Sequence, residues 1–200
     1  MNNKQKLDKL EKDLQNLKVG ELYQLRKEEN YKPVMGEGDP TANVMLVGEA
    51  PGQTEAETGR PFVGRGGQLL TKILESLNIS RESVYITNIV KDRPPGNRKP
   101  TKEEIEKYKP ILEKEIEIVE PEIIVTLGKT ATDFFFENYK GEKVKRLGDI
   151  RGQTFQLEIS PPTGRLKFKI LPTYHPAYGL RNPPSQKTIK NDLEKIKNYS

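Results

Sequence analysis

Hydrophobic residues follow two alternating spacings along the chain, one typical of helices and one typical of buried strands. An amphipathic helix is predicted over residues 4–18, where four leucines recur at helical spacing among charged residues: Leu7, Leu10, Leu14 and Leu17. Short, mainly apolar runs predict four strands, at residues 43–47, 83–90, 122–127 and 166–171. Further helical patterns lie between and after these strands, at residues 68–77, 101–119, 129–139 and 186–198.

This alternation of apolar strands with helices predicts the fold class. Strands that are apolar on both faces are typical of a parallel sheet covered by helices on both sides. We therefore expect an α/β fold with three layers, α/β/α, around a central, mainly parallel, four-stranded sheet. Thr101 and Glu104 have the spacing of a capping box at a helix start. No internal repeat or low-complexity linker divides the chain, so we expect one domain over residues 1–200, with a helical lead-in over residues 1–30.

Composition excludes several classes of protein. No apolar run reaches the roughly 18 residues of a membrane helix, and the start of the chain lacks the apolar stretch of a secretory signal. We therefore expect a cytoplasmic protein with no membrane partner. The chain has no cysteine and one histidine. This excludes disulfides, thiolate-bound zinc, cysteine-bound iron–sulfur clusters, a cysteine nucleophile and any site that needs two imidazoles.

Positive charge is concentrated in the later part of the chain. Residues 1–58 carry a net charge of −3, whereas residues 59–200 carry +8. Residues 88–102 combine one acidic residue with five basic ones: Lys91, Arg93, Arg98, Lys99 and Lys102. We interpret this segment as a basic loop that faces a polyanion, although a solvated lysine-rich surface has the same composition.

The loops that follow three of the predicted strands contain the candidate chemistry. They span residues 48–67, 88–100 and 173–184. In parallel α/β sheets, ligands bind in the crevice outside the carboxyl ends of the strands, so these loops are expected to meet at one site. The first loop has six glycines, with Glu49 at the strand tip and Phe62 before a glycine cluster. It lacks the spacings of a phosphate-binding loop or a dinucleotide fingerprint, whereas a flat ring near exposed amides suits a planar ligand.

The other two loops add polar groups suited to a nucleobase. Asn88 lies at a strand end, where its amide can read the donor and acceptor edge of a base. His175 follows the last strand and precedes a loop that carries Arg181. Each feature alone has a structural interpretation, with Phe62 as core, the glycines as turns and His175 as a hydrogen-bonding group. Together, the ring, the amide, the imidazole and the basic rim predict a pocket for a flipped nucleobase.

Four segments form motifs in a fixed order and spacing. They are GEAPGQTEAETGRPFVGRGGQLL at 48–70, YITNIVKDRPPGNRKPTKEE at 85–104, EIIVTLGKTA at 122–131 and TYHPAYGLRNP at 173–183. This pattern resembles the family 4 uracil-DNA glycosylases over residues 36–195, the core of the expected domain. The resemblance implies the uracil-DNA glycosylase fold and an enzyme of base excision repair. Such an enzyme flips uracil out of single- or double-stranded DNA and hydrolyses its N-glycosidic bond, leaving an abasic site, without a metal.

The resemblance also implies roles for residues around the base. Phe62 would stack on the extruded uracil, and Asn88 would bond its Watson–Crick edge and reject cytosine. Glu55 would crowd the C5 position against thymine. In the wedge loop, Gly179 stands where the family often has leucine, so either Tyr178 or Leu180 would fill the gap in the DNA.

The bond-breaking and DNA-binding roles come from the same comparison. His175 would donate to uracil O2, and Asn97 would position the attacking water. Glu49 and the backbone of Gly48 and Ala50 would line the floor near the sugar. Candidate phosphate contacts are Arg65, Gly66, Gly67, Arg181 and Lys187.

The chain departs from the family at its iron–sulfur cluster. Members of the family usually hold this cluster on four cysteines, and the corresponding positions here are Gly20, Tyr23, Asp92 and Tyr108. The chain has no cysteine to bind the cluster, so we expect no cofactor and no metal. The rings of Tyr23 and Tyr108 are expected to fill the space, with Asp92 accepting a hydroxyl hydrogen bond.

Three other functions are compatible with parts of this pattern. A uracil or single-stranded DNA binding protein would keep Phe62, Asn88 and the basic rim but lack an effective water site. An enzyme acting on small nucleosides would not need the basic loops. A glycosylase of broader range, acting also on hypoxanthine or xanthine, is closer in kind. We favour a monomeric uracil-DNA glycosylase in the cytoplasm, associated with the nucleoid when it is on DNA.

Overall fold

Nine α-helices and six strands make up the part of the chain that the computed structural model describes, residues 1–160 and 164–199. The strands are β1 (Glu37–Gly38), β2 (Val44–Gly48), β3 (Tyr85–Asn88), β4 (Ile123–Leu127), β5 (Phe155–Ile159) and β6 (Leu166–Thr173). The helices are α1 (Asn3–Asn16), α2 (Gly20–Glu28), α3 (Gln53–Thr58), α4 (Arg65–Glu75), α5 (Lys102–Val119), α6 (Lys129–Tyr139), α7 (Leu147–Ile150), α8 (Pro176–Arg181) and α9 (Pro184–Leu193). Short 3₁₀ turns lie at Arg81–Ser83, Pro95–Asn97 and Glu194–Asn198. No described helix has the length and apolar character needed to span a bilayer.

The strands form one sheet in the order β1-β3-β2-β4-β6-β5. The four central strands run parallel, and each edge strand runs antiparallel to its neighbour. The parallel strands are the four that the sequence predicts, but the prediction of a four-stranded sheet was wrong because two edge strands extend it to six. β1 has only two residues and shows no pattern. β5 is a five-residue edge strand in which apolar and polar residues alternate, and this short alternation was not recognised as a strand pattern.

Helices cover both faces of this sheet. Along β2, Met45 and Val47 belong to one hydrophobic core, while Val44 and Leu46 belong to a second one. The first core includes residues of α1, α5 and α6, and the second includes residues of α4 and α9. The predicted three-layer α/β/α arrangement is therefore confirmed, and the carboxyl ends of the four parallel strands lie at one edge of the sheet.

The predicted helices are present with shifted ends, and four further helices were not predicted. The helix predicted over 4–18 ends at Asn16 and is followed by α2. At the start of α5, the Glu104 amide donates to Thr101 Oγ1 (3.2 Å), and the Thr101 amide donates to Glu104 Oε2 (2.8 Å). This is the predicted capping box. Besides α2, the helices that the periodicity missed are α3, α7 and α8, which are too short to show a helical period.

A buried polar cluster joins the N-terminal helices to the core. Arg26 on α2 is 6% exposed, and its guanidinium lies 3.3 Å from the Asp92 carboxylate. Tyr108 on α5 donates its hydroxyl to Asp92 Oδ2 at 2.5 Å. Arg26 also donates to the Leu17 carbonyl (2.8 Å) and lies 5.0 Å above the ring of Tyr23. Burial raises the pKa of Asp92, while the Tyr108 hydrogen bond and Arg26 act to lower it, so both partners support the charged carboxylate.

Removing either partner of Asp92 is expected to destabilise the fold. Tyr108→Phe keeps the ring but leaves the carboxylate short of one hydrogen bond, at a cost of about 1–3 kcal/mol. Arg26→Met leaves a buried carboxylate without its cation, at a cost of about 3–5 kcal/mol. Urea unfolding at pH 7 measures both losses. The double variant Arg26→Met/Asp92→Leu removes both charges and should recover most of the stability, whereas an Arg26→Met protein as stable as the parent would contradict this account.

Candidate active site

A cleft of about 600 Å³ opens at the carboxyl ends of the parallel strands. Its walls come from the three loops that follow β2, β3 and β6, and from the turn after β4. Most of the predicted site residues line it: Glu49, Ala50, Glu55, Phe62, Arg65, Gly66, Gly67, Asn88, Asn97, His175 and Arg181. The topology therefore brings together side chains from loops that are distant in sequence.

Gly48 forms the support beneath two of these side chains. It pairs with Asn88 across β2 and β3. A Cβ at Gly48 would lie 2.4 Å from Asn88 Oδ1 and 2.5 Å from Phe62 Cζ, so both side chains pack directly against the Gly48 backbone. Any larger residue would displace them, because real Cβ atoms do not approach other atoms so closely.

The backbone around Phe62 is tightly constrained. Phe62 has a left-handed φ of +52°, which is uncommon for a residue with a side chain. Arg81 donates to the Pro61 carbonyl (2.6 Å) and the Phe62 carbonyl (3.2 Å). A Cβ at Gly67 would lie 1.9 Å from the same Phe62 oxygen, so only glycine fits there. The ring is 6% exposed and packs in the second core while also lining the cleft, so Phe62 is both a core residue and part of the cleft wall.

Asn88 places an unpaired oxygen at the bottom of the cleft. The residue is 2% exposed, and within residues 1–160 and 164–199 its Oδ1 has no hydrogen-bond partner. Leaving such an oxygen buried and unpaired costs about 1–3 kcal/mol. Native proteins seldom retain that cost without a reason, and a ligand with a hydrogen-bond donor would remove it.

His175 is neutral and oriented by its own helix. Its Nδ1 accepts a hydrogen bond from the Ala177 amide (3.1 Å) at the start of α8, so the proton of the neutral ring resides on Nε2. Burial, and then the nearby positive charge of Arg181, lower the pKa of His175 to about 4. The ring lies 5.7 Å from the Phe62 ring, between centroids. His175 is therefore available at neutral pH as a hydrogen-bond donor without charge.

The polar residues predicted for the water and the sugar differ in their surroundings. Glu49 is half-buried, and its carboxylate makes no hydrogen bond or ion pair within the described ranges. Asn97 is exposed at the rim, and its Oδ1 accepts a hydrogen bond from Arg93 Nε (2.8 Å). The Glu55 carboxylate accepts from the amides of Val63 (2.9 Å) and Gly64 (2.7 Å), and so holds the turn that leads into α4.

The predicted DNA contacts divide between the cleft and the neighbouring surface. Arg65, Gly66, Gly67 and Arg181 line the cleft. The other three, Tyr178, Leu180 and Lys187, lie outside its lining on α8 and α9. Among these three residues, the side chain of Tyr178 is 39% exposed, whereas that of Leu180 is half-buried.

The prediction of a basic loop over residues 88–102 that faces a polyanion was wrong for Lys91, which is fully buried and paired with Glu115. Arg98 lines the cleft, although it also pairs with Glu104 at 2.7 Å. Sequence reasoning instead missed Lys129, which lines the cleft from the turn after β4. Lys129 follows the predicted strand at 122–127, just as the three candidate loops follow their strands. The rule that ligands bind at the carboxyl ends of strands would therefore have found Lys129.

Comparisons with known proteins identify the family. Residues 35–197 match the family model described as the Uracil DNA glycosylase superfamily. The chain belongs to this superfamily. It is similar to the type-4 uracil-DNA glycosylase of Saccharolobus solfataricus, with 40% identity over 192 residues, which cover 96% of this chain and 85% of that protein. The type-4 uracil-DNA glycosylase of Thermotoga maritima is 44% identical over 168 residues, covering 83% of this chain and 82% of that protein. The resemblance to family 4 inferred from the four motifs is thus confirmed.

The residues at the family's cluster positions do not fit an iron–sulfur cluster. The chain has no cysteine, and a charged Arg26 side chain lies between Tyr23 and Asp92. Gly20 is exposed at the start of α2. Among the described residues there is also no group of three or more histidine, aspartate or glutamate side chains placed to hold a metal ion. The space is occupied by an ion pair and aromatic rings.

The state of His175 can be measured directly, because it is the only histidine. An NMR titration of the imidazole should give a midpoint near the pKa of about 4. The folded protein favours the neutral imidazole, so the burial of His175 costs no stability above the unfolded pKa of about 6.5. As the pH falls from there toward the folded pKa of about 4, the free energy of unfolding decreases, because only the unfolded chain readily takes up the proton. Arg181→Gln removes a positive charge and should raise the midpoint. A midpoint near 6.5 would show that the ring is solvated, and a higher one that a negative charge stabilises it; either would contradict the buried, neutral ring.

Proposed function

We propose that this protein is a DNA repair glycosylase that flips uracil out of DNA and hydrolyses its N-glycosidic bond, leaving an abasic site. The observation that carries this proposal is the buried, unpaired Oδ1 of Asn88 in a cleft shared with Phe62 and His175. The names of the type-4 relatives support the same activity. The proposed enzyme acts as a monomer in the cytoplasm, associates with the nucleoid when on DNA, and accepts uracil in single- or double-stranded DNA.

Base recognition follows from the chemistry of the Asn88 amide. Its Oδ1 accepts a hydrogen bond from uracil N3–H, and its Nδ2 donates to uracil O4. Cytosine presents the reverse pattern, an acceptor at N3 and donors at N4. An amide held in the orientation that suits uracil would therefore leave its buried oxygen unpaired against cytosine. Phe62 supplies the face on which the extruded base stacks. Glu55, fixed on the cleft wall, is placed against the C5 side and disfavours the methyl group of thymine.

Bond cleavage separates charge between the base and the sugar. Negative charge grows on uracil, where the Nε2–H of His175 donates to O2, and positive charge grows on deoxyribose, where the Glu49 carboxylate stabilises it. Asn97 holds the attacking water at the rim through its side-chain amide. Water adds to C1′ and loses a proton to Glu49, while uracil leaves with the electron pair of the broken bond. These residues supply the whole reaction, so the proposed mechanism uses no metal or other cofactor.

DNA contacts surround the mouth of the cleft. Arg65, Arg181 and Lys187 are suited to phosphates, together with the amides of Gly66 and Gly67 at the start of α4. The Gly64 amide is not available to a phosphate, because Glu55 already binds it. Base extrusion costs a few kcal/mol, and a side chain that fills the vacated stack offsets part of it. Tyr178 is the proposed wedge because its ring is exposed beside the cleft, unlike Leu180.

The activity is tested with oligonucleotides that carry one deoxyuridine, in single- and double-stranded form, with a chelator present. Strand cleavage after alkali should occur at uracil and not at thymine or cytosine. His175→Ala should lower the single-turnover rate by about a hundredfold or more, as expected for loss of a donor to developing negative charge. Asn88→Ala should lower it comparably, because the base loses both hydrogen bonds to the amide.

Asn138→Ala is the matched control, since Asn138 lies on α6 and does not line the cleft. It should retain the parent rate. Tight binding of uracil DNA without cleavage would mean that the protein is a lesion binder and that the roles of His175, Glu49 and Asn97 are wrong. Equal cleavage at hypoxanthine would show a broader base range.

The wedge assignment predicts a difference between the two forms of DNA. Tyr178→Ala should reduce excision from duplex DNA by roughly tenfold, because the wedge no longer offsets its part of the extrusion cost, about 1.4 kcal/mol. Excision from single strands should change little. Leu180→Ala is the neighbouring control and should lack this duplex-specific loss. If Leu180→Ala alone shows it, the wedge is Leu180.

A further inference from the structure

A fully buried ion pair lies directly behind Asn88. Lys91, which follows β3, and Glu115 on α5 are both 0% exposed. The Lys91 ammonium donates to Glu115 Oε2, to Thr87 Oγ1 (2.7 Å) and to the backbone carbonyl of Asn88 (2.7 Å). An ammonium group has three donors, so every proton on Lys91 Nζ is engaged. One of these bonds reaches the residue that is proposed to read the base.

Glu115 connects this pair to the rest of the sheet edge. Its carboxylate accepts hydrogen bonds from the Gly36 amide (2.9 Å), the Tyr85 hydroxyl (3.1 Å) and the Thr87 hydroxyl (3.1 Å). The network therefore fixes α5, β3 and the segment before β1 relative to one another. A network in which each group is satisfied in this way specifies one geometry.

Stability alone does not account for this arrangement. Replacing a buried ion pair by apolar residues of similar volume is often neutral or stabilising, because both charges must be desolvated. The pair also fixes the orientation of one peptide group at the end of β3. The peptide whose carbonyl accepts from Lys91 is the peptide whose amide, on Ile89, donates to the Gly48 carbonyl at 3.0 Å. Lys91 thus fixes the peptide that ties the end of β3 to the end of β2.

The Asn88 side chain depends on that peptide for its orientation. Within the described residues, no hydrogen bond holds its Oδ1. The amide is located only by its packing against Gly48 and Phe62 and by the backbone at the end of β3. If the 88–89 peptide were not held, the backbone at the end of β3 could shift and carry the Asn88 amide with it, and no side-chain hydrogen bond opposes such a shift.

We propose that Lys91 and Glu115 are positioning residues that aim the Asn88 amide at the edge of the base. This inference rests on the proposed function, because it assigns the pair to the selection of uracil over cytosine by that same site. The pair touches no substrate and acts only through the Asn88 backbone. Its loss is expected to impair recognition of uracil more than it impairs folding.

The test compares the apolar replacement Lys91→Met/Glu115→Leu in two backgrounds, the parent and Asn88→Ala. The replacement should keep the fold, as judged by circular dichroism, but at reduced stability in urea, because the Gly36 amide and the Tyr85 hydroxyl lose their acceptor. In the parent, it should lower the single-turnover rate on uracil DNA by roughly tenfold, because contacting residues in one network couple strongly. In Asn88→Ala, it should lower the remaining rate by less than about twofold, since the group that it positions is already absent. Lys114→Met/Glu117→Leu, a more exposed pair on the same helix, is the control and should keep the parent rate.

Equal losses in both backgrounds would mean a general structural role and would overturn the inference, as would full activity of a folded replacement. If the replacement does not fold, Thr87→Val takes its place, because it removes one contact of both charged groups at nearly constant volume. It should show a loss of a few fold in the parent and none in Asn88→Ala, and a loss in both would overturn the inference. A parent protein without uracil excision would reject the proposed function itself, which is a separate result.

Discussion

The close packing of Asn88 and Phe62 on Gly48 is the constraint on which the site depends. Parallel pairing places Gly48 opposite Asn88, and the missing side chain at Gly48 lets the amide and the ring share one small space. This contact requires that β2 and β3 end at the same level and that the loop carrying Phe62 folds back over them. Folding the loop back in this way requires the left-handed backbone of Phe62, and Arg81 holds the fold by hydrogen bonds to the carbonyls of Pro61 and Phe62.

The helix α5 holds the loop after β3 through one of its faces. Three of its residues bind three points of the loop: Glu104 binds Arg98, Tyr108 binds Asp92, and Glu115 binds Lys91. These helix positions are four and seven residues apart, spacings that place side chains on the same side of a helix. A single rigid element therefore sets the path of the loop from Asn88 to Asn97. Two of these contacts, those of Lys91 and Asp92, involve fully or largely buried charges. They fix the orientation of the loop, but burying the charges costs considerable desolvation free energy.

The sequence predicted the central strands and the site residues at their ends, but not the buried charged residues whose positions depend on partners elsewhere in the chain. The four central strands are mainly apolar, so their runs were visible, and the strand-end rule then placed Phe62, Asn88 and His175 together. Lys91 was interpreted as a surface cation because its neighbours are basic. Nothing local distinguishes it, since its burial depends on Glu115, which lies in a different element of the chain. The role of Arg26 is likewise visible only once α2 packs beside Asp92.

The ionic cluster around Asp92 explains how the N-terminal helices contribute to a site that they do not touch. Consecutive loop residues are anchored to different elements: Lys91 to α5, Asp92 to α2 and α5, and Arg93 to the hydroxyl of Tyr31 after α2. Four cysteines on one cluster would fix such a loop by covalent bonds to metal. Here hydrogen bonds of 2.5–3.3 Å around a single carboxylate do so, and they hold only while that carboxylate is charged and Arg26 is in place. The geometry of the loop after β3 is therefore tied to the packing of α2.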